Sequence, residues 1–219
     1  MMYYFENFVS FMLKNLESNL NDYLMEQKYF GMEHSALEVR RAFGIFFINI
    51  AISISFGSIL SEIAFRYNLP LYSYVVIWLI VFGLVFGLQF QKFKIIFSSI
   101  RQRMKISTKW PLPIKTINGL CWALPFALIG IFPDISQYLL LLGIGLGNVS
   151  TFVFMKKLSG LTNKEQLIVG IVSLVLIFPA FVIDSSIFPE TQDIAVLLSR
   201  LFIGLSYGIG GLYALYSKQ

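Results

Sequence analysis

The amino-acid sequence predicts an all-α integral membrane protein with six transmembrane helices, arranged as three consecutive helical hairpins after an amphipathic cytoplasmic helix at the N-terminus. The first indication is composition: 57% of the 219 residues are hydrophobic and only 13% are charged. A soluble domain of this length needs far more polar surface to cover its core. The other two indications are six long apolar runs and a glycine pair that recurs along the chain.

The apolar runs are long enough to cross a bilayer. A hydrocarbon core of about 30 Å requires about 20 apolar residues at about 1.5 Å per residue. The third run is the weakest, because Pro125 interrupts it. The runs cover about 43–61, 71–91, 115–132, 135–155, 166–183 and 194–216.

Two glycines spaced four residues apart occur in the second helix of each predicted hairpin. The pairs are Gly83 and Gly87, Gly143 and Gly147, and Gly204 and Gly208. Their first members are 60 and 61 residues apart, which indicates three hairpins at about 40–94, 115–157 and 164–218. Small residues let membrane helices approach closely, so we predict that these glycines pack helices. Contacts within the monomer, a homo-oligomer interface and a glycine-lined pathway remain alternatives, as do a true triplication and a coincidence of membrane composition.

Charge predicts the orientation in the membrane. Basic residues cluster before run one, between runs two and three, between runs four and five, and after run six. The alternate turns carry Glu62, Asp134, Asp184, Glu190 and Asp193. Because positively charged loops stay in the cytoplasm, both termini should be cytoplasmic, most simply at the cell membrane. The net charge of +5 is then a signal of topology and does not indicate a nucleic-acid partner.

The chain divides into residues 1–38 and the membrane domain 39–219. Apolar residues of the first segment recur at helical spacing, opposite a polar face that is slightly acidic. This pattern predicts a cytoplasmic helix that lies on the bilayer or docks a cytoplasmic protein partner.

The stretch from Lys92 to Lys115, which connects runs two and three, contains seven basic residues and no acidic one. Apolar side chains are interleaved with the bases, a composition typical of a segment on an anionic lipid surface. The predicted lipid-contact residues are Lys92, Lys94, Arg101, Arg103, Lys105 and Lys109. A connection that only sets the topology is the simpler alternative.

Three polar residues inside the runs are candidates for contact with a substrate: Arg200, Asn49 and Asn148. Arg200 lies seven residues after Asp193, at a depth of about 10 Å. A charge at this depth is costly and indicates function, unless Arg200 reaches the head groups or pairs with Asp184 or Asp193. The two asparagines could line a wet cavity or form hydrogen bonds between helices.

Signals of catalysis are weak. The single histidine, His34, precedes the membrane domain, and the single cysteine, Cys121, cannot form an internal disulfide. We therefore assign no catalytic residue, metal ligand or cofactor. The sequence favours a small transport or permeation protein for a neutral or anionic solute. A non-catalytic membrane subunit or scaffold is the alternative, and a lipid-modifying enzyme is the least favoured reading.

Overall fold

The computed structural model describes residues 36–88, 98, 101, 110–160, 162–186 and 192–217. The chain forms two compact units, Met1–Val39 and Arg40–Gln219, and the architecture below is that of the second. Its described elements are helices. They are α1 (Ala36–Arg66), α2 (Leu71–Gly87), α3 (Leu112–Ile129), a 3₁₀ turn (Pro133–Ile135), α4 (Ser136–Ser159), α5 (Lys164–Val175), α6 (Ile177–Ser186) and α7 (Gln192–Tyr216).

Five helical stretches are long and apolar enough to cross a membrane. They are Arg40–Arg66, Leu112–Ile129, Pro133–Leu158, Lys164–Ser185 and Ile194–Tyr216. The all-helical architecture is therefore confirmed for the described residues, and its helices indicate an integral membrane protein. The second predicted run yields α2, whose 17 residues fall short of that length, and the residues after Leu88 are not described. The sixth span stays a prediction.

Pro179 divides the fifth predicted run into two helices. Helix α5 ends at Val175 and α6 begins at Ile177, so one membrane-length stretch contains a break. Proline has no backbone N–H, so the carbonyl of Val175 lacks its helical donor. Pro125 is also inside a helix, but α3 continues past it to Ile129.

Helix α7 packs against α1 through glycine. A Cβ built at Gly204 would lie 2.6 Å from Ser55 Oγ and 3.2 Å from the Ala51 carbonyl oxygen. One built at Gly211 would lie 2.9 Å from the Gly44 carbonyl oxygen. These contacts set α1 and α7 antiparallel, with backbones too close for any side chain at these positions.

A second face of α7 packs against α5. A Cβ at Gly210 would lie 3.0 Å from the Glu165 carbonyl oxygen and would also contact the Val169 side chain. Helix α5 approaches α4 in the same way, since a Cβ at Gly170 would lie 3.0 Å from the Gly145 carbonyl oxygen. Small residues thus bring α1, α7, α5 and α4 together in that order.

The helices enclose an apolar core and expose apolar side chains outward. The core comprises Phe47, Leu141, Val169, Ala180, Ile203 and Tyr207. Many large apolar side chains of α2 and α3 are exposed, among them Leu71, Leu79 and Leu112. Such surfaces suit contact with lipid chains, which are as apolar as leucine itself.

We expect Gly211→Ala to destabilise the protein, because the added methyl group meets backbone atoms of α1 that cannot move independently. Overpacking of this kind costs about 1–3 kcal/mol. Gly119→Ala is the matched control, since a Cβ there has no neighbour within 4 Å. Thermal unfolding of the purified proteins measures both. A Gly211→Ala protein as stable as the Gly119→Ala protein would contradict the close approach of α1 and α7.

Candidate functional site

Polar side chains are buried inside this apolar bundle, and Arg200 is half-buried. The buried polar residues are Asn49, Ser53, Ser58, Ser61, Gln137, Asn148, Asn163, Glu165, Ser173, Ser199 and Ser206. A buried polar group costs free energy unless it finds a hydrogen-bond partner, and a bilayer supplies no water to provide one. The buried polar groups that have hydrogen-bond partners link helices, whereas those without partners have unmet hydrogen-bonding capacity.

One cluster links α3 to α4. The side-chain oxygen of Asn118 lies 2.8 Å from Ser150 Oγ and 3.1 Å from Thr151 Oγ1. The indole N–H of Trp122 donates to Thr151 Oγ1 over 3.0 Å. Gly147 makes room for the indole, because a Cβ there would overlap the Trp122 ring. These groups satisfy one another, so the cluster is a structural link between helices.

A second cluster links α4 to α6. The Asp184 carboxylate accepts a hydrogen bond from Gln137 Nε2 over 2.9 Å and another from the Tyr138 hydroxyl. This pairing brings the start of α4 and the end of α6 to the same end of the bundle as Glu62 on α1. We call it the acidic end.

A third contact joins α4 to α7 near the core. The side chain of Asn148 hydrogen-bonds the Tyr207 hydroxyl, and its Nδ2 donates to the Ile144 carbonyl oxygen over 2.8 Å. The Tyr207 ring meets Phe47 of α1 edge to face, with centroids 5.5 Å apart. Asn148 therefore links helices around the core.

Charged groups lie near each other on α1 and α7 at the acidic end. Glu62 forms an ion pair with Arg66, whose Nε lies 3.1 Å from the carboxylate, and the Glu62 charge also acts on Arg200. Of the alternative partners for Arg200, Asp184 accepts its hydrogen bonds from residues of α4. The Asp193 side chain lies outside the described residues.

Several buried side-chain atoms have no hydrogen-bond partner. They are the hydroxyls of Ser53, Ser58, Ser61, Ser173 and Ser199, the amide oxygen of Gln137 and the indole N–H of Trp110. Ser58 and Ser61 precede Glu62 on α1 and are 0% and 3% exposed. The charged groups of the acidic end are thus accompanied by hydroxyls that remain free to bind.

Two of the three predicted substrate residues lie at different levels of the bundle. Arg200 lies seven residues before Tyr207, the partner of Asn148, so about 10 Å of helix separates them. Asn49 and Asn148 are both 2% exposed. Sequence reasoning missed Ser58, Ser61 and Glu62. The serines in the first run were the available signal, but nothing in the sequence placed them opposite Arg200.

The predicted packing glycines have different surroundings. Gly143 and Gly147 of α4 receive the Phe126 and Trp122 rings, and Gly204 and Gly208 lie next to α1. A Cβ at Gly83 or Gly87 would meet nothing within 4 Å. Of the predicted lipid-contact residues, Arg101 is described as helical and exposed, and the others lie outside the described residues.

No known protein family, curated protein or solved structure matches this chain.

We expect Asp184→Ala to destabilise the protein, because it leaves the Gln137 amide and the Tyr138 hydroxyl without their acceptor. A buried donor that loses its partner costs about 1–3 kcal/mol. Asp134→Ala is the control, since Asp134 is exposed at the same end of the chain's helices. Thermal unfolding compares the two, and equal midpoints would contradict the link between α4 and α6.

Proposed function

We propose that this protein is a six-span carrier of the cell membrane, with both termini in the cytoplasm, which moves a small neutral or anionic solute. The observation that carries the proposal is the group of polar residues at the acidic end: the half-buried Arg200 and Glu62, and the buried, unpartnered hydroxyls of Ser58 and Ser61. A subunit that only needs to pack could have alanine in place of each serine at no loss. Hydroxyls without partners suit a site that water or a solute enters.

The distribution of charge supports the proposed orientation. Arg40 of α1, Lys156 and Lys157 of α4 and Lys164 of α5 lie at the end of the bundle opposite Glu62 and Asp184. The Arg40 side chain donates to the Ser217 hydroxyl after α7, which brings the start of α1 to the end of α7. With the basic end in the cytoplasm, the acidic end faces outward.

The proposed sixth span rests on α2. This helix begins after Pro70, and its 17 residues are mostly apolar and carry no charge. It packs on α1, since a Cβ at Gly57 would lie 2.6 Å from the Trp78 ring, and Phe86 lies edge to face with Phe46 at 5.9 Å. The pair α1 and α2 would then form the first of three hairpins.

Reconstitution in liposomes tests the carrier function. We expect the full-length protein to move a small organic anion or neutral solute, and Arg200→Gln to reduce the rate at least tenfold, because Arg200 is the half-buried base of the proposed site. Lys156→Gln is the control, as an exposed base at the opposite end. Absence of flux across a broad solute panel, with the protein correctly folded, would sink the proposal.

A membrane scaffold is the second candidate, favoured by α2. Gly83 and Gly87 leave a small-residue face on this helix that no described part of the chain covers. In a scaffold or homo-oligomer, this face would pack against another membrane helix, and residues 1–38 would hold a cytoplasmic partner.

Purification from native membranes distinguishes this candidate from the carrier. A scaffold would be recovered with a stoichiometric partner, and deletion of residues 1–35 would release that partner while the helical body still inserts. A carrier would be recovered without a partner protein, and its transport activity would persist after dilution of the purified sample. Recovery of the protein alone would count against the scaffold.

A further inference from the structure

The α1–α7 interface fixes what Arg200 faces. Gly204 of α7 abuts Ser55 of α1 in an antiparallel arrangement. Arg200 is one turn from Gly204 toward the acidic end, and Ser58 is about one turn from Ser55 in the same direction. Helix packing alone thus places Arg200 beside the part of α1 that carries Ser58 and Glu62.

Ser58 and Ser61 present two hydroxyls there. They are three residues apart, so they lie on one side of α1. Both are more than nine-tenths buried, and neither hydroxyl has a hydrogen-bond partner. Phe47 lies on the same side of α1, three turns before Ser58 and four turns before Ser61. It contacts Tyr207, which is on the Arg200 side of α7. The hydroxyls and the guanidinium therefore face the same interior space.

The charge of Arg200 has no ion-pair partner among the described residues. Glu62 is paired with Arg66, whose side chain is 65% exposed, while Arg200 is half-buried. Asp184 accepts its hydrogen bonds from Gln137 and Tyr138 of α4. The Arg200 guanidinium is therefore the excess charge beside Ser58, and a charge within the membrane needs a counter-charge.

We propose that Arg200, Ser58 and Ser61 form a binding site for a single monovalent oxyanion, the carboxylate of a small organic acid. This inference rests on the proposed carrier function and specifies its substrate class. The planar guanidinium fork matches the two oxygens of a carboxylate, and the serine hydroxyls can each donate one further hydrogen bond. A single excess charge disfavours divalent sulfate or hydrogen phosphate, and a spherical halide cannot use the bidentate fork.

The chain offers a matched control for the two serines. Ser199 is adjacent to Arg200, fully buried and likewise unpartnered. Successive residues of a helix point about 100° apart, so Ser199 faces away from the Arg200 side. Ser58→Ala and Ser61→Ala should therefore weaken anion binding, whereas Ser199→Ala should not.

The experiment measures stabilisation of the purified full-length protein by acetate, with sulfate and chloride at equal ionic strength as comparison anions. We expect acetate to raise the unfolding midpoint saturably, and sulfate and chloride to act at least tenfold more weakly. Arg200→Gln should abolish the saturable shift. Ser58→Ala and Ser61→Ala should each raise the half-saturating acetate concentration about threefold to tenfold, and Ser199→Ala should leave it within twofold.

Glu62→Gln separates a binding site from a merely structural ion pair. If the excess charge binds the anion, removing the carboxylate should tighten acetate binding severalfold even where the variant unfolds at a lower temperature. A structural pair predicts lower stability with no gain in binding. Weaker acetate binding in Glu62→Gln, an unchanged shift in Arg200→Gln, or equal effects of acetate and chloride would each overturn the site.

Flux measurements keep the two proposals apart. Saturable acetate binding that depends on Arg200, without transport of any solute, would leave the site standing and remove the carrier function. Transport of neutral solutes that is insensitive to Arg200→Gln would leave the carrier function and overturn the site.

Discussion

The close approach of α7 to both α1 and α5 is the constraint on which the other contacts depend. Lipid provides no hydrophobic drive between helices, so association relies on packing and on hydrogen bonds. Helix α7 meets this requirement on two faces, with Gly204 and Gly211 against α1 and Gly210 against α5. Because both neighbours are held at backbone distance, the side chains between these faces are directed inward. Arg200 and Tyr207 occupy that intermediate position.

The buried polar groups serve two purposes that partnering distinguishes. Asn118 and Asp184 each accept two hydrogen bonds from a neighbouring helix, and such links hold helices in register. Ser58 and Ser61 lie in an equally buried environment, and their hydroxyls make no hydrogen bond. The bundle thus satisfies its polar groups at two helix contacts and leaves hydroxyls without partners beside its half-buried charge, as it does at Ser53 and Ser173.

The sequence predicted what depends on composition and local spacing, and missed what depends on register between distant segments. Run length and hydrophobicity indicated the spans, and depth in a run singled out Arg200. A glycine pair shows only that one helix face is clear. It did not reveal that Gly147 receives an indole ring or that Gly145, between the paired glycines, faces α5. The interaction of Glu62 with Arg200 joins residues far apart in the chain, so local patterns could not predict it. Pro179 breaks its helix and Pro125 does not, although both interrupt similar apolar runs.

The break at Leu176 gives the two halves of one membrane-length stretch different freedom. Helix α5 is fixed by Gly170 and by its contact with Gly210, both at backbone distance. Helix α6 is only ten residues long, and the Asp184 hydrogen bonds to α4 are its principal polar attachment. If α6 tilted about Pro179, its two hydrogen bonds to α4 would have to break. No close contact at a glycine would have to separate. In the proposed carrier, the bundle would thus stay rigid in its cytoplasmic half and could still widen at its outer mouth, which is the mechanical asymmetry that a one-sided entrance requires.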